Sequence, residues 1–299
     1  MLINWIYWDP PREAFTIPFI GHPVMWYGIW FALGFILAYL LIIHLFTQTI
    51  DSLKDSGQLI LLPNESAKGL ARSLADRLSW YAVIGTLVGA RLGHVIFYDL
   101  EHYLHDPISI FKTWEGGLAS HGGALGILVA MFFYHKYLVR RIPTLSFLSF
   151  LDIMSVVVPL GCICIRVGNF FNQEILGPPT TLPWAIIFGH PFDDNQVLPR
   201  HPTQLYEAFA YLIIFIILFT LWTWKRKSLL PGVITGLLFV FIFTSRFFIE
   251  FVKSPQGGSF EGILQTGQFL SLPFIILGFA IIFYAKKKNL KTGNLNNSR

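Results

Sequence analysis

Apolar runs long enough to cross about 30 Å of hydrocarbon as helices recur along the whole chain, and they limit what it can fold into. Their charged borders place seven candidate spans at 24–46, 79–98, 118–135, 145–165, 204–224, 232–252 and 267–285. The spans themselves make up the protein and leave no separate soluble domain. The expected fold class is therefore an all-α polytopic membrane protein with about seven transmembrane helices in a single integral-membrane domain over 1–299. A long loop at 166–203 and a tail at 286–299 complete it. Composition agrees: of 299 residues, 54% are hydrophobic and 13% charged, a balance foreign to a soluble domain of this length.

The opening stretch "MLINWIYWDPPREAF" has no basic residue before Arg12 and breaks at Pro10 and Pro11, so it does not read as a cleavable signal peptide. Its Trp5, Tyr7 and Trp8 suit an interfacial segment. Segments 47–78, 136–144, 225–231 and 286–299 together hold 15 Lys and Arg, whereas 1–23, 99–117, 166–203 and 253–266 hold 5. Positive residues collect on the cytoplasmic side, which puts the N-terminus outside and the C-terminus inside. A formal charge of +5 could suggest nucleic acid, but the basic residues form short clusters beside apolar runs, the pattern that orients a membrane protein. No nucleic-acid partner is expected. Cys162 and Cys164 would face different sides of a helix, which favours packing over a disulfide or metal role.

Arg91 and Arg246 lie inside spans. An intramembrane arginine is costly and by default faces a bundle interior, a cavity or a partner. Each falls six or seven residues before the outer end of its span, roughly 10 Å below the outer surface at helical rise. Tyr27, His121 and Arg166 fall at the same level, so five elements converge on one layer of the outer leaflet. Each also has a plainer reading. Arg91, with His94 and Tyr98, lies opposite the stripe Gly85, Gly89 and Gly93; the stripe suits close helix contact, and Arg91 could snorkel to headgroups. His121 is collared by Gly116, Gly117, Gly122 and Gly123, which admit another backbone or a bulky ligand; such a histidine takes a proton or is simply hydrogen-bonded. Arg246 and Glu250, at i and i+4, form either a structural pair or an oriented anion receptor. Residues 166–179, "RVGNFFNQEILGPP", supply polar groups where backbone leaves a helix. Three guanidiniums and a histidine at one depth make an anion site, and the abundant anion there is a lipid phosphate.

At these residues the chain resembles the bacterial prolipoprotein diacylglyceryl transferase family. Residues 166–177, "RVGNFFNQEILG", are similar to its signature from the arginine onward, with Ile165 in place of the family's first glycine. Further matches follow in order: "MWYG", "GARLGHVIFY", "SHGGALG", "RHPTQLYEA" and "SRFFIEF". The resemblance implies transfer of the diacylglyceryl group from phosphatidylglycerol to the lipobox cysteine of a prolipoprotein signal peptide, leaving a thioether and releasing glycerol phosphate. It implies a multi-pass protein of the bacterial cytoplasmic membrane with its site near the outer leaflet. It assigns His121 as base and Arg166 and Arg246 as phosphate clamp. Asn169, Asn172, Glu174 and Gly177 would shape the site and hold Arg166, while Tyr27, Arg91 and Glu250 would contact the headgroup or support those that do. No cofactor or metal is implied, and because the substrate brings the nucleophile, the chain's own cysteines are expected away from the chemistry.

Two other classes remain. A transporter of anionic lipid or solute could use the same arginines, but the polar residues stop in the outer third and no inverted repeat is evident. A scaffold held by glycine-rich helix contacts explains the glycines and not the arginines. The six prolines between 178 and 202 argue for a stiff loop.

Overall fold

Continuous apolar sequence favours helix wherever backbone groups have no water to bond. The computed structural model describes residues 5–19, 21–112, 116–192, 196–226, 228–254 and 264–297. Among these, seven helices are long and apolar enough to cross a membrane. They are α1 (Trp26–Asp55), α2 (Ala67–Phe97), α4 (Ser120–Arg141), α5 (Phe147–Phe171), α6 (Thr203–Lys225), α7 (Val233–Ile249) and α8 (Thr266–Asn297); α3 (Leu100–His105) is a short outlier. The all-α polytopic class expected from the sequence is the one observed. Helix ends differ from the apolar runs. α1 runs on to Asp55, α2 starts at Ala67 and α8 continues through the expected tail, because nothing in those polar stretches stops a helix once the apolar part has nucleated it. Most of the outer connection at 253–266 lies outside the described residues.

The contacts divide the chain into two compact units, 41–150 and 1–40 with 151–299. In the first, α2 and α4 pack closely because the glycine stripe works as read. A Cβ on Gly85 would sit 2.5 Å from the Ala130 Cβ, and one on Gly93 would sit 2.7 Å from the Gly122 Cα. Gly122 therefore serves the helix contact, which settles one side of the collar around His121 as a place for backbone. Tyr134 is fully buried in this unit and donates to the Leu74 carbonyl at 2.9 Å.

In the second unit, α5 and α7 are registered by a buried acid. Asp152 accepts from the backbone N–H of Gly232 at 2.7 Å and of Thr235 at 2.8 Å, and from the Thr235 hydroxyl at 2.8 Å. It thus caps the start of α7 from a neighbouring helix, meeting donors that a helix N-terminus leaves open. Arg166 follows Asp152 by 14 residues and Arg246 follows Gly232 by 14, so helical rise brings both to a level roughly 21 Å from the cap. Over the far end of α5 the N-terminal segment does more than lie in an interface. β1 (Ile6–Trp8) pairs in parallel with β4 (Ile186–Phe188), which pairs antiparallel with β5 (Pro199–Arg200). The ring of Trp8 stacks on Phe170 at 4.6 Å, and Phe170, Leu176, Ile186 and Phe188 form a buried cluster beneath it. β2 (Glu13–Thr16) and β3 (Pro23–Met25) form a separate hairpin leading into α1.

Removing the shared cap tests the register. Asp152→Ala should lower stability by about 1–3 kcal/mol, since it strips a buried charged acceptor from several donors. Thermal unfolding in detergent would show this as a lowered Tm, with Asp152→Asn intermediate.

Candidate active site

Arg166 lies within α5, not at its exit: the helix continues to Phe171. Of the polar residues that follow, Gln173 meets backbone, accepting from His190 N–H at 2.8 Å while donating to Asp9 Oδ1 at 3.1 Å, whereas the two asparagines and the glutamate bond one another. Arg166 Nη1 donates to Asn169 Oδ1 at 3.0 Å, and Asn169 Nδ2 donates to Glu174 Oε1 at 2.6 Å. Asn172 Nδ2 reaches the same carboxylate oxygen at 3.4 Å. On its other edge the guanidinium meets Glu207 of α6, with Nε 2.7 Å from Oε2 in an ion pair whose angle falls outside hydrogen-bond range. Glu207 is 1% exposed, so this pair is desolvated and Arg166 is held at both ends.

Glu174 is presented by strained backbone. Its neighbours Gln173 (φ 54°) and Ile175 (φ 60°) are left-handed, a conformation that costs on the order of 1–3 kcal/mol for a residue such as isoleucine. The first turn of α6 holds it there: Thr203 Oγ1 donates to the Ile175 carbonyl at 2.7 Å and Gln204 Nε2 to the Glu174 carbonyl at 2.6 Å. Gly177 then threads a gap no other residue fits, since a Cβ would stand 2.5 Å from the His201 Cβ and 2.6 Å from the Val252 carbonyl oxygen. Ser254 N donates to the Leu176 carbonyl at 3.0 Å, so the loop is stitched to the end of α7. Gly168 similarly gives room to the ring of Tyr27, which a Cβ would approach to 2.9 Å.

Arg246 sits in the last turn of α7, partly buried. Among the described residues it makes no hydrogen bond and no ion pair, so the i, i+4 pair with Glu250 is not formed. The helix tightens into a 3-10 turn at Glu250–Val252, and the Glu250 carboxylate lies instead 3.8 Å from Lys253 Nζ and against Gly267 at the start of α8. Lys253 Nζ is also 3.8 Å from Glu207 Oε1. Arg166, Glu207, Lys253 and Glu250 thus alternate in sign along one chain that is buried at Glu207 and Lys253, beside Arg246. Cys162, one turn before Arg166, is within electrostatic reach of both arginines, closer to the site than expected for a packing cysteine; both cysteines are free.

The other unit holds Arg91 and His121. Arg91 is 5% exposed, and its five N–H donors meet five carbonyls. Nε bonds Ile110 at 2.8 Å, Nη1 bonds Gly116 at 2.7 Å and Gly117 at 3.1 Å, and Nη2 bonds Ser109 at 2.5 Å and Lys112 at 3.3 Å. Its guanidinium carbon lies 5.0 Å from the centroid of the Tyr103 ring. No N–H is left for a phosphate, so a direct headgroup contact by Arg91 is not what this geometry offers. Gly116 (φ 95°) and Gly117 (φ 74°) turn their carbonyls toward it through left-handed backbone, and a Cβ on Gly117 would crowd Nη1 at 2.6 Å. Their place in the collar is thus to bind Arg91. His121, in the first turn of α4, is exposed and makes no hydrogen bond or ion pair among the described residues.

Glu207, Gln204, Thr203 and Lys253 were not singled out by sequence reasoning. The first three belong to "RHPTQLYEA", where Gln204, Glu207, Ala208 and Tyr211 mark one buried stripe of α6. Polar residues on that stripe at the head of an apolar helix were the available signal. Lys253 was counted only as a charge in a loop.

The fold and site together define a polytopic membrane protein that gathers paired cations and carboxylates at one end of two registered helices. The model of the family described as prolipoprotein diacylglyceryl transferase matches residues 13–284, and the chain belongs to that family. Similar proteins named phosphatidylglycerol–prolipoprotein diacylglyceryl transferase include that of Protochlamydia amoebophila, 42% identical with 96% of both chains covered. That of Porphyromonas gingivalis is 39% identical over 95% of each, and that of Chloroherpeton thalassium is 36% identical over 95% of this chain and 96% of the relative.

Arg91→Lys keeps the charge but loses the planar fork. At about 1.5–3 kcal/mol per charge-assisted bond lost, amide exchange across 109–112 and 116–119 should accelerate by on the order of 10²-fold or more. Hydrogen exchange with mass spectrometry reads this directly; unchanged protection would remove Arg91 as the organiser of that segment.

Proposed function

We infer that the chain transfers the diacylglyceryl group of phosphatidylglycerol to a prolipoprotein, a step in lipoprotein maturation. The acceptor is the thiol of a lipobox cysteine beside a signal-peptide helix. The reaction takes place toward the outer leaflet of the bacterial cytoplasmic membrane, with the N-terminus outside and the C-terminus inside. The observation that carries the chemistry is the contrast between two arginines at one level: Arg166 is fixed by Glu207 and Asn169, and Arg246 is uncommitted among the described residues.

The sulfur attacks the glycerol carbon that bears the phosphate ester. The carbon–oxygen bond breaks, the bonding pair leaves with the phosphate, and glycerol phosphate departs as the thioether forms. Arg166 and Arg246 grip the phosphate, and their charge counts for most as the leaving group becomes more negative. His121 takes the thiol proton; its exposed, unbonded imidazole suits a base that receives a proton from an incoming substrate. Asn169 and Glu174 hold Arg166, Asn172 buttresses Glu174, and Gly177 lets the loop close on Val252. Tyr27 packs against Gly168 at the base of the site. Glu250 positions Lys253, and Arg91 positions the segment that leads into His121.

Purified protein in detergent, given phosphatidylglycerol and a synthetic lipobox peptide, should produce a peptide heavier by one diacylglyceryl group together with free glycerol phosphate. Arg166→Ala and Arg246→Ala should each reduce turnover by about 10²–10³-fold without loss of insertion. Lipid binding without either product would refute the transferase reading. Gly177→Ala should cost on the order of 10²-fold, as expected for displacing a site by about 1 Å. With His121→Ala, near loss at neutral pH and partial recovery at high pH would support the base; full turnover at neutral pH would show the thiolate forms without it.

A further inference from the structure

Lys253 is the least settled charge in the cluster. It is 6% exposed, yet its nearest carboxylate oxygens, on Glu207 and Glu250, both stand at 3.8 Å, beyond hydrogen-bond range. An ammonium has three N–H donors, and among the described residues none of those on Lys253 is hydrogen-bonded. Burial of a cation with its donors unmet is costly unless another acceptor completes it. The carboxylates hold Nζ by charge without consuming its protons. Arg166 shares Glu207 with it, and Arg246 lies within electrostatic reach. An anion gripped by the two arginines would therefore stand beside three free N–H groups.

We propose that Lys253 is a third phosphate-binding cation of this site, donating to the phosphate oxygens of the departing glycerol phosphate, with Glu207 as the carboxylate that positions it and Arg166 together. The proposal rests on the transferase reading above. Its chemistry is directional. The phosphodiester of the lipid carries one negative charge, and the phosphate monoester that leaves carries more. A third cation consequently stabilises product and transition state more than bound lipid.

Burial pushes the Lys253 ammonium below the ordinary lysine value; Arg166 and Arg246 push the same way, while Glu207 and Glu250 oppose them. A lowered value means the charge is lost as pH rises through it, so affinity for the phosphate should fall on the alkaline side sooner than for an ordinary lysine.

The test uses the intact enzyme and glycerol phosphate as the probe, both as a product inhibitor and as a ligand that raises Tm. Lys253→Gln should lower kcat by about 10²-fold and raise the inhibition constant of glycerol phosphate by about tenfold, with KM for phosphatidylglycerol shifted less than about threefold. Lys253→Arg should restore both and extend glycerol phosphate binding to higher pH. Should Lys253→Gln fail to fold, the double variant Glu250→Gln/Lys253→Gln, which removes one charge of each sign, is measured in its place with the same expectation. A lowered Tm with an unchanged inhibition constant, or a rise in KM matching the loss in kcat/KM, would overturn the proposal. Wild-type enzyme that binds glycerol phosphate but transfers nothing would refute the transferase reading instead, leaving the anion-binding role of Lys253 to be judged on the Tm shift alone.

Discussion

A charge withdrawn from water into an apolar bundle must be met by an opposite charge or by directed hydrogen bonds, and this constraint organises both units of the chain. Three charges, two buried and one largely so, meet it differently. Asp152 is satisfied by backbone and hydroxyl donors at the start of α7. Arg91 is satisfied by five carbonyls. Arg166 is satisfied by a carboxylate and an amide from side chains. The first two close the question locally and so become structural. The third leaves a chain of ions, Glu207, Lys253 and Glu250, whose contacts lengthen to 3.8 Å and end beside an arginine with no partner among the described residues. Among the described residues, this is where buried charges meet at the longest range, and the proposed site rests on that.

Much of this was visible in the residues before any coordinates. Seven apolar runs, the in-span arginines and the glycine stripe of α2 depend only on local sequence and helical period, and each is present as read. Helix ends were less visible, because polar stretches beyond a nucleated helix can continue it, as at 47–55 and 67–78. Partners were the least visible. Arg246 and Glu250 have ideal helical spacing, but the turn tightens between them and Lys253 takes the carboxylate. Glu207 is 41 positions from Arg166 in the chain, and no periodicity links the two.

Arg91 shows why an intramembrane arginine is an ambiguous signal. Its cost in hydrocarbon is the same whether it binds a ligand or backbone, so position alone does not separate the two. What separates them is the number of donors left over. The left-handed glycines at 116 and 117 were the clue, since they bring carbonyls together where an ordinary residue would not. Those glycines looked like space for a ligand at His121, and they are the acceptors for an arginine two turns from the end of α2.

The strain at Glu174 fits the same logic. Left-handed backbone on both sides of one carboxylate persists only where its surroundings determine it, and here Thr203 and Gln204 do so from α6, the helix that also carries Glu207. One short segment of α6 therefore fixes both edges of Arg166: directly through Glu207, and indirectly through Gln204, Glu174 and Asn169. A guanidinium locked at both edges loses little further freedom when it meets a phosphate, and that preorganisation makes a buried arginine useful to phosphoryl-oxygen chemistry. In the proposed transfer Arg246, at the same level and without a partner among the described residues, supplies the complementary property: it would follow the charge as it moves from ester to leaving group. The division of labour between a fixed cation and a free one follows from where α6 places its carboxylate and where α7 ends.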